Sequence, residues 1–189
     1  MTIKQINYAL LRGKLKLKFM DYIHHFGIVV LMFSVSIFSL FLYFKDSLNN
    51  NSKTFNKDIF LLIIISSTSG LIFFKIQHTR LNLKIVETNL ERKEIDKIIH
   101  NVSISLHWFI ITHNNRILEA KTFPSFFSGS WGEQITILFD DSRILINSIC
   151  DLDQPSSIIS MGRNKKNINT IIEEIIKANE ESKFCKVVE

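Results

Sequence analysis

The sequence predicts a membrane hairpin of two helices followed by a small α+β domain. In that domain a four-stranded antiparallel meander carries two helices on one face, in the order α-β-β-β-β-α. Three observations lead there. Two long uncharged apolar runs lie within the first 75 residues. Four runs rich in Ile, Leu and Phe, punctuated by turn residues, lie between residues 106 and 150. An isoleucine stripe at helical spacing lies near the C-terminus.

Residues 1–21 form a basic tail. Ile3, Ile6, Leu10 and Leu17 fall near one helical face and Lys14 and Lys18 on another. This fits an interfacial helix on anionic lipid. Gly13 and the alternation Lys14-Leu15-Lys16-Leu17-Lys18 weaken the helix, and a plain topogenic tail is the alternative.

Residues 22–44 form the first span, because Tyr22 to Phe44 contains no Asp, Glu, Lys or Arg. Its strongest part, Phe26–Phe44, reaches about 28 Å as a helix, close to a hydrocarbon core of roughly 30 Å. Leu42-Tyr43-Phe44-Lys45 offers no small-residue cleavage site, so the run reads as an uncleaved anchor. Residues 45–58 form a short external loop and residues 59–76 the second span. Ile59–Phe74 alone reaches about 24 Å, Lys57 and Lys75 can snorkel, and Phe55 and Ile76 extend the span. A helix of a soluble core is the alternative for this run.

Ser34, Ser36 and Ser39 in the first span and Ser66, Ser67, Thr68, Ser69 and Gly70 in the second allow close helix approach. They serve either the hairpin itself or an oligomer. Neither span has an ionisable residue at its centre, so transport is not expected. Lys4, Arg12, Lys14, Lys16 and Lys18 precede the first span, and Lys75, Arg80 and Lys84 follow the second. The positive-inside rule then puts both ends in the cytoplasm.

Residues 77–87 read as a tether and residues 88–189 as the cytosolic domain. Thr88-Asn89-Leu90-Glu91 has the form of a capping box for a helix running to about His100. Strands follow at about Leu106–Thr112, Arg116–Phe123, Gln134–Asp140 and Arg143–Cys150. Asn114-Asn115 and Asp141-Ser142 make the tight turns. The last helix starts near Asn164 or Asn167, and its Ile168, Ile171, Ile172, Ile175 and Ile176 form the stripe. In the third strand Ile135, Ile137 and Phe139 alternate with Gln134, Thr136, Leu138 and Asp140, and in the fourth Ile144 and Ile146 alternate with Leu145 and Ile149, so both faces carry apolar residues. The helices cover one face, which leaves the other for a second copy, a lipid surface, another protein or solvent.

The formal charge of +5 divides unevenly. Residues 1–74 hold eight Lys/Arg and three Asp/Glu, and residues 75–189 hold fifteen of each. The domain is therefore neutral, which argues against nucleic acid as a partner.

A meander alternates its turns, so the loops at 123–133 and 151–163 share one end of the sheet. Pro124, Gly129, Gly132, Pro155 and Gly162 all fall there. The first loop carries Phe126, Phe127 and Trp131, and the second leads into Arg163, Asn164, Lys165 and Lys166. Three readings compete: aromatics dipping into lipid with the cations on phosphates, a helix N-terminus holding an anionic small molecule, or a capped helix start with aromatics closing the core.

Catalytic patterns are thin. Gly129-Ser130-Trp131-Gly132-Glu133 lacks the spacing of a nucleophile elbow. His24 and His25 point to different helix faces at the level of lipid headgroups, and the other histidines form no ligand pattern. Asp140-Asp141 and Asp151/Asp153 fit turns better than a metal site. Cys150 and Cys185 suggest no structural disulfide in a cytosolic domain. No cofactor or metal is expected.

Ser130-Trp131-Gly132-Glu133, Ile135-Thr136-Ile137, Arg143-Ile144-Leu145-Ile146-Asn147-Ser148 and Gly162-Arg163-Asn164-Lys165 form a recognisable series. Over about residues 88–180 the chain resembles the cytosolic part of small, uncharacterised bacterial membrane proteins. The resemblance implies no activity. It implies that Trp131, Glu133, Arg143, Ser148, Arg163 and Asn164 belong to the domain's signature.

The expectation is a multi-pass protein of the bacterial inner membrane. Its domain would be a non-enzymatic binding or scaffolding module acting through a protein partner or a second copy. The alternative is a sensor or effector that binds an anionic small molecule or lipid headgroup.

Overall fold

The computed structural model describes residues 1–49, 57–124 and 131–187. Five helices and five strands follow in the order α1 (Ile3–Arg12), α2 (Phe19–Asn49), α3 (Lys57–Arg80), β1 (Lys84–Glu87), α4 (Arg92–Ser105), β2 (Trp108–His113), β3 (Ile117–Thr122), β4 (Glu133–Asp140), β5 (Arg143–Cys150) and α5 (Arg163–Val187).

α2 and α3 are long and apolar enough to cross a membrane. Only 22% and 11% of their most apolar windows is buried, whereas a soluble core helix would be mostly enclosed. The two pack antiparallel. Ser36 and Ser66 hydroxyls meet at 2.7 Å, and Ser67 donates to Ser36 at 3.1 Å. A Cβ on Gly70 would lie 3.2 Å from the Phe33 ring, so the glycine lets the helices close. These small residues therefore serve the pair itself.

The sheet is antiparallel with the order β1-β5-β4-β3-β2. The meander β2–β5 is present, but the sheet has five strands rather than four. The fifth, β1, lies in the stretch read as a tether and pairs Lys84–Glu87 with Ile146–Arg143. Of its four residues only Val86 is buried, so the segment carries almost no apolar pattern. The first helix of the domain also starts later than expected. Glu91 is its N-cap, and the Glu94 side chain accepts the Glu91 N–H at 2.9 Å. Thr88 instead donates to Asn179 on α5 at 3.0 Å, tying the segment between β1 and α4 to α5.

β-strand alternation builds two cores. On one face Leu118, Ala120, Ile135, Ile137, Ile144 and Ile146 meet Ile95, Ile99 and Val102 of α4 and Ile171 and Ile175 of α5. On the other face Ile117, Leu138, Leu145 and Ile149 meet Ile6 and Ala9 of α1, together with Leu15, Phe26, Val29, Leu81 and Leu83. The chain's own N-terminus thus covers the second face, and helices lie on both sides of the sheet.

The N-terminal segment suits this role. Thr2 and Gln5 form a capping box at its start. Gly13, at φ 62, ends the helix by donating its N–H to the Ala9 carbonyl at 2.9 Å. Lys14 then bridges Asn82, with the Leu15 N–H bonded to the Leu81 carbonyl at 2.8 Å. The glycine that weakened a continuous helix is its stop signal.

Candidate functional site

The polarity of the sheet relative to α2 and α3 follows from chain direction. α3 delivers the chain to β1, which runs from Lys84 to Glu87 away from the helix pair. β5 is antiparallel to β1, so it runs back toward the pair and ends at Cys150. The loop after Cys150 then touches both helices. The Ile28 N–H donates to the Ser156 hydroxyl at 3.2 Å, and the Gln77 amide donates to the Ser157 carbonyl at 3.2 Å. A Cβ on Gly27 would meet Ser156 Cβ at 2.9 Å, so only glycine admits the loop so closely.

A polar latch fixes this geometry. The Gln77 amide also donates to the His25 carbonyl at 2.8 Å, while the His25 ring nitrogen meets the Gln77 carbonyl at 3.0 Å. One turn on, the Asn147 amide donates to the carbonyls of Arg80 and Asn82, both at 2.8 Å. These are backbone acceptors at a helix end that would otherwise lack partners. His25, Gln77 and Asn147 are all buried. His25 is thus committed to the fold, while its neighbour His24 is exposed.

Among the singled-out residues, Glu133, Ser148, Arg163 and Asn164 converge at the loop end. Glu133 is fully buried at the start of β4. Its carboxylate accepts from the Thr122 hydroxyl and, at 3.0 Å, from Arg163 Nε at the start of α5. Ser148 donates to Asn164 at 2.9 Å and accepts from Asn167 at 3.1 Å, and Asn167 in turn accepts from Trp108 Nε1 at 3.2 Å. Thr122 and Trp108 belong to no motif in the sequence, and Asn167, which reads there only as a helix start, lies one helical turn from Asn164. Together these residues seat the first turn of α5 on the ends of β3, β4 and β5. Beside them the buried Cys150 thiol is pushed up in pKa, chiefly by burial.

Trp131 is 53% exposed at the same end, and Lys165 is exposed on the first turn of α5. Phe126 and Phe127 lie outside the described residues. Arg143 is elsewhere. It starts β5, about 23 Å from Cys150 along the strand, and donates to Asp140 at 2.7 Å across the tight turn. The six signature residues therefore divide between the two ends of the sheet.

Gly132 carries the close approach that this end requires. Its φ is 126, and a Cβ there would stand 2.7 Å from the Thr122 carbonyl. On the α1 face Lys121 bonds Asp151 at 2.6 Å and also Asp153. Burial, which alone would lower the Lys121 pKa, is outweighed by these two carboxylates, which hold it above its ordinary value. An ammonium therefore stands where a cation shared by Asp151 and Asp153 would sit. Among the described residues no group of three His, Cys, Asp or Glu converges as metal ligands.

Comparison of the chain with family models, with curated proteins and with solved structures found no match.

Proposed function

We propose that the chain is a membrane-anchored, non-enzymatic binding module of the bacterial inner membrane. Both its ends are cytoplasmic, and it acts through a protein partner or a second copy of itself. The observation that carries the reading is the edge strand β2. It exposes Ile110 and Ile111, 37% and 53%, on a domain whose loop-end polar groups are bonded to one another. A shift of register between Ile110 and Thr112 interrupts the ladder there. The edge is thus a poor template for unlimited strand addition, but its side chains remain available to a specific partner.

The anchor reading draws on the exposed apolar flanks of α2 and α3. Orientation draws on the basic residues at the domain end of the pair, where Lys14, Lys75, Arg80 and Lys84 gather. A bacterial source draws only on the resemblance of the Trp131–Lys165 series.

Extraction in a mild detergent followed by native mass spectrometry tests the proposal. The expected species is a stoichiometric complex or homo-oligomer that dissociates when Ile110 and Ile111 are both replaced by Lys. A monomer from the wild-type chain in every mild detergent, with no bound protein, would overturn it.

A further inference from the structure

The geometry points to a second contact with the membrane, made by the loop end of the sheet. Phe123, Trp131, Ile159 and Met161 enter the interfacial layer of the leaflet on the domain side. Lys165 and Lys166 meet anionic headgroups beside them. This rests on the membrane anchorage proposed above, and its occupant is the lipid surface.

Depth comes first. Ser36 and Ser66 pair near the middle of both uncharged runs and mark the midplane of the helix pair. Gly27 and Ile28 lie nine and eight residues from Ser36 on α2. They are therefore about 12–14 Å from the midplane, where half a hydrocarbon core is roughly 15 Å. The 151–162 loop docks on those two residues through Ser156. It is thus held at the boundary between hydrocarbon and headgroups.

Three residues past Ser156, Ile159 is 57% exposed, and Met161 is 66% exposed. Met161 adopts φ 46, a left-handed conformation unusual for a side chain of this kind. Across the same end Phe123 is 67% and Trp131 53% exposed. Asp151 N–H donates to the Gly132 carbonyl at 3.0 Å, so the two loops stand side by side. Lys165 and Lys166 follow, both exposed, on the first turn of α5. Exposed Trp with flanking Lys is the pairing that membrane interfaces favour. The tight-turn end, by contrast, carries Asp140, Asp141 and Arg143.

Tryptophan fluorescence of the full chain in vesicles containing phosphatidylglycerol tests this, with lipids brominated near the headgroup as quenchers. The chain has two tryptophans, and Trp108 is buried. Trp131 emission, obtained by subtracting the Trp131→Phe variant, should be blue-shifted and quenched roughly twofold or more. Quenching should fall in the Ile159→Lys/Met161→Lys variant and in the Lys165→Glu/Lys166→Glu variant. Flotation of the vesicles reports anchorage separately. A chain that floats while Trp131 stays red-shifted and unquenched overturns the lipid contact alone. A chain that fails to float overturns the anchorage.

Discussion

Replacing Ile6 by Ala should loosen α1 from the sheet without unfolding the domain. Ile6 is 5% exposed, in the second core with Leu138, Leu145 and Ile149. The substitution removes three carbon groups, at about 0.8 kcal/mol each, or about 2.4 kcal/mol. Cavity terms push such values upward, and partial collapse at an element near the chain end pushes them down. Because α1 is joined to the rest through Gly13 and Lys14, the loss should appear as local opening rather than global unfolding. A cost of about 2.4 kcal/mol is roughly 50-fold in the docking equilibrium. Hydrogen exchange in nanodiscs measures it. The Ile6 and Gly13 amides, bonded to Thr2 and Ala9, should exchange faster by about that factor, while β4 and β5 amides keep their rates. Leu11, 84% exposed on the opposite side of α1, supplies the control. Unchanged α1 exchange in Ile6→Ala would refute the docking. So would an equal or larger effect from Leu11→Ala, which would place the outer face of α1 on lipid instead.

Asn147→Ala should lower the melting temperature in detergent, because it removes the donor to two backbone carbonyls at the end of α3. A cost of about 1–3 kcal/mol is expected, and a melt matching wild type would remove the latch from the account. Gly132→Ala should cost more than Gly162→Ala, as both have positive φ but only the former drives a Cβ into a carbonyl. Paired denaturant titrations decide this, and an equal cost would contradict the close approach. Lys121 has a raised folded pKa, so its stabilising contribution is full below its ordinary value of 10.5 and is lost as pH rises through the higher folded value. Lys121→Met should therefore be less stable than wild type at neutral pH and should converge toward it under strong alkali. A gap that widens with alkali would contradict the sign.

Much of the domain was legible because its strands are apolar runs bounded by turn residues. β5 coincides with Arg143–Cys150 as read from the sequence, and β3 and β4 differ by a residue at their ends. The isoleucine stripe is the inward face of α5 through Ile171 and Ile175, while Ile176 falls at its edge, 46% exposed. β1 was not legible, since Lys84-Ile85-Val86-Glu87 gains its strand character from the partner β5 rather than from its own pattern. The docking of α1 was hidden for a related reason. Lysines around Leu15 and Leu17 read as topogenic, and nothing local says that Ile6 and Ala9 meet a sheet more than a hundred residues away. The site was legible as a place, from the clustering of Gly and Pro in two loops. The partners of its polar groups were not, because the Glu133–Arg163 and Ser148–Asn164 contacts join residues that share no helical or strand period. Gln77, Ser156 and Ser157 drew no notice, since single polar residues at a helix end or in a loop have many ordinary roles.

Which end of the sheet faces the helix pair can be measured by comparing its two ends. Single fluorophores attached at position 159 and at position 141, in a chain whose Cys150 and Cys185 are replaced by Ala, can be read against acceptors on lipid headgroups in nanodiscs. β5 spans eight residues between the two ends, so its ends lie about 23 Å apart along the strand and the label at 141 should stand well above the one at 159. Strong transfer is expected at 159 and weak transfer at 141. Equal transfer at both, or stronger transfer at 141, would contradict it.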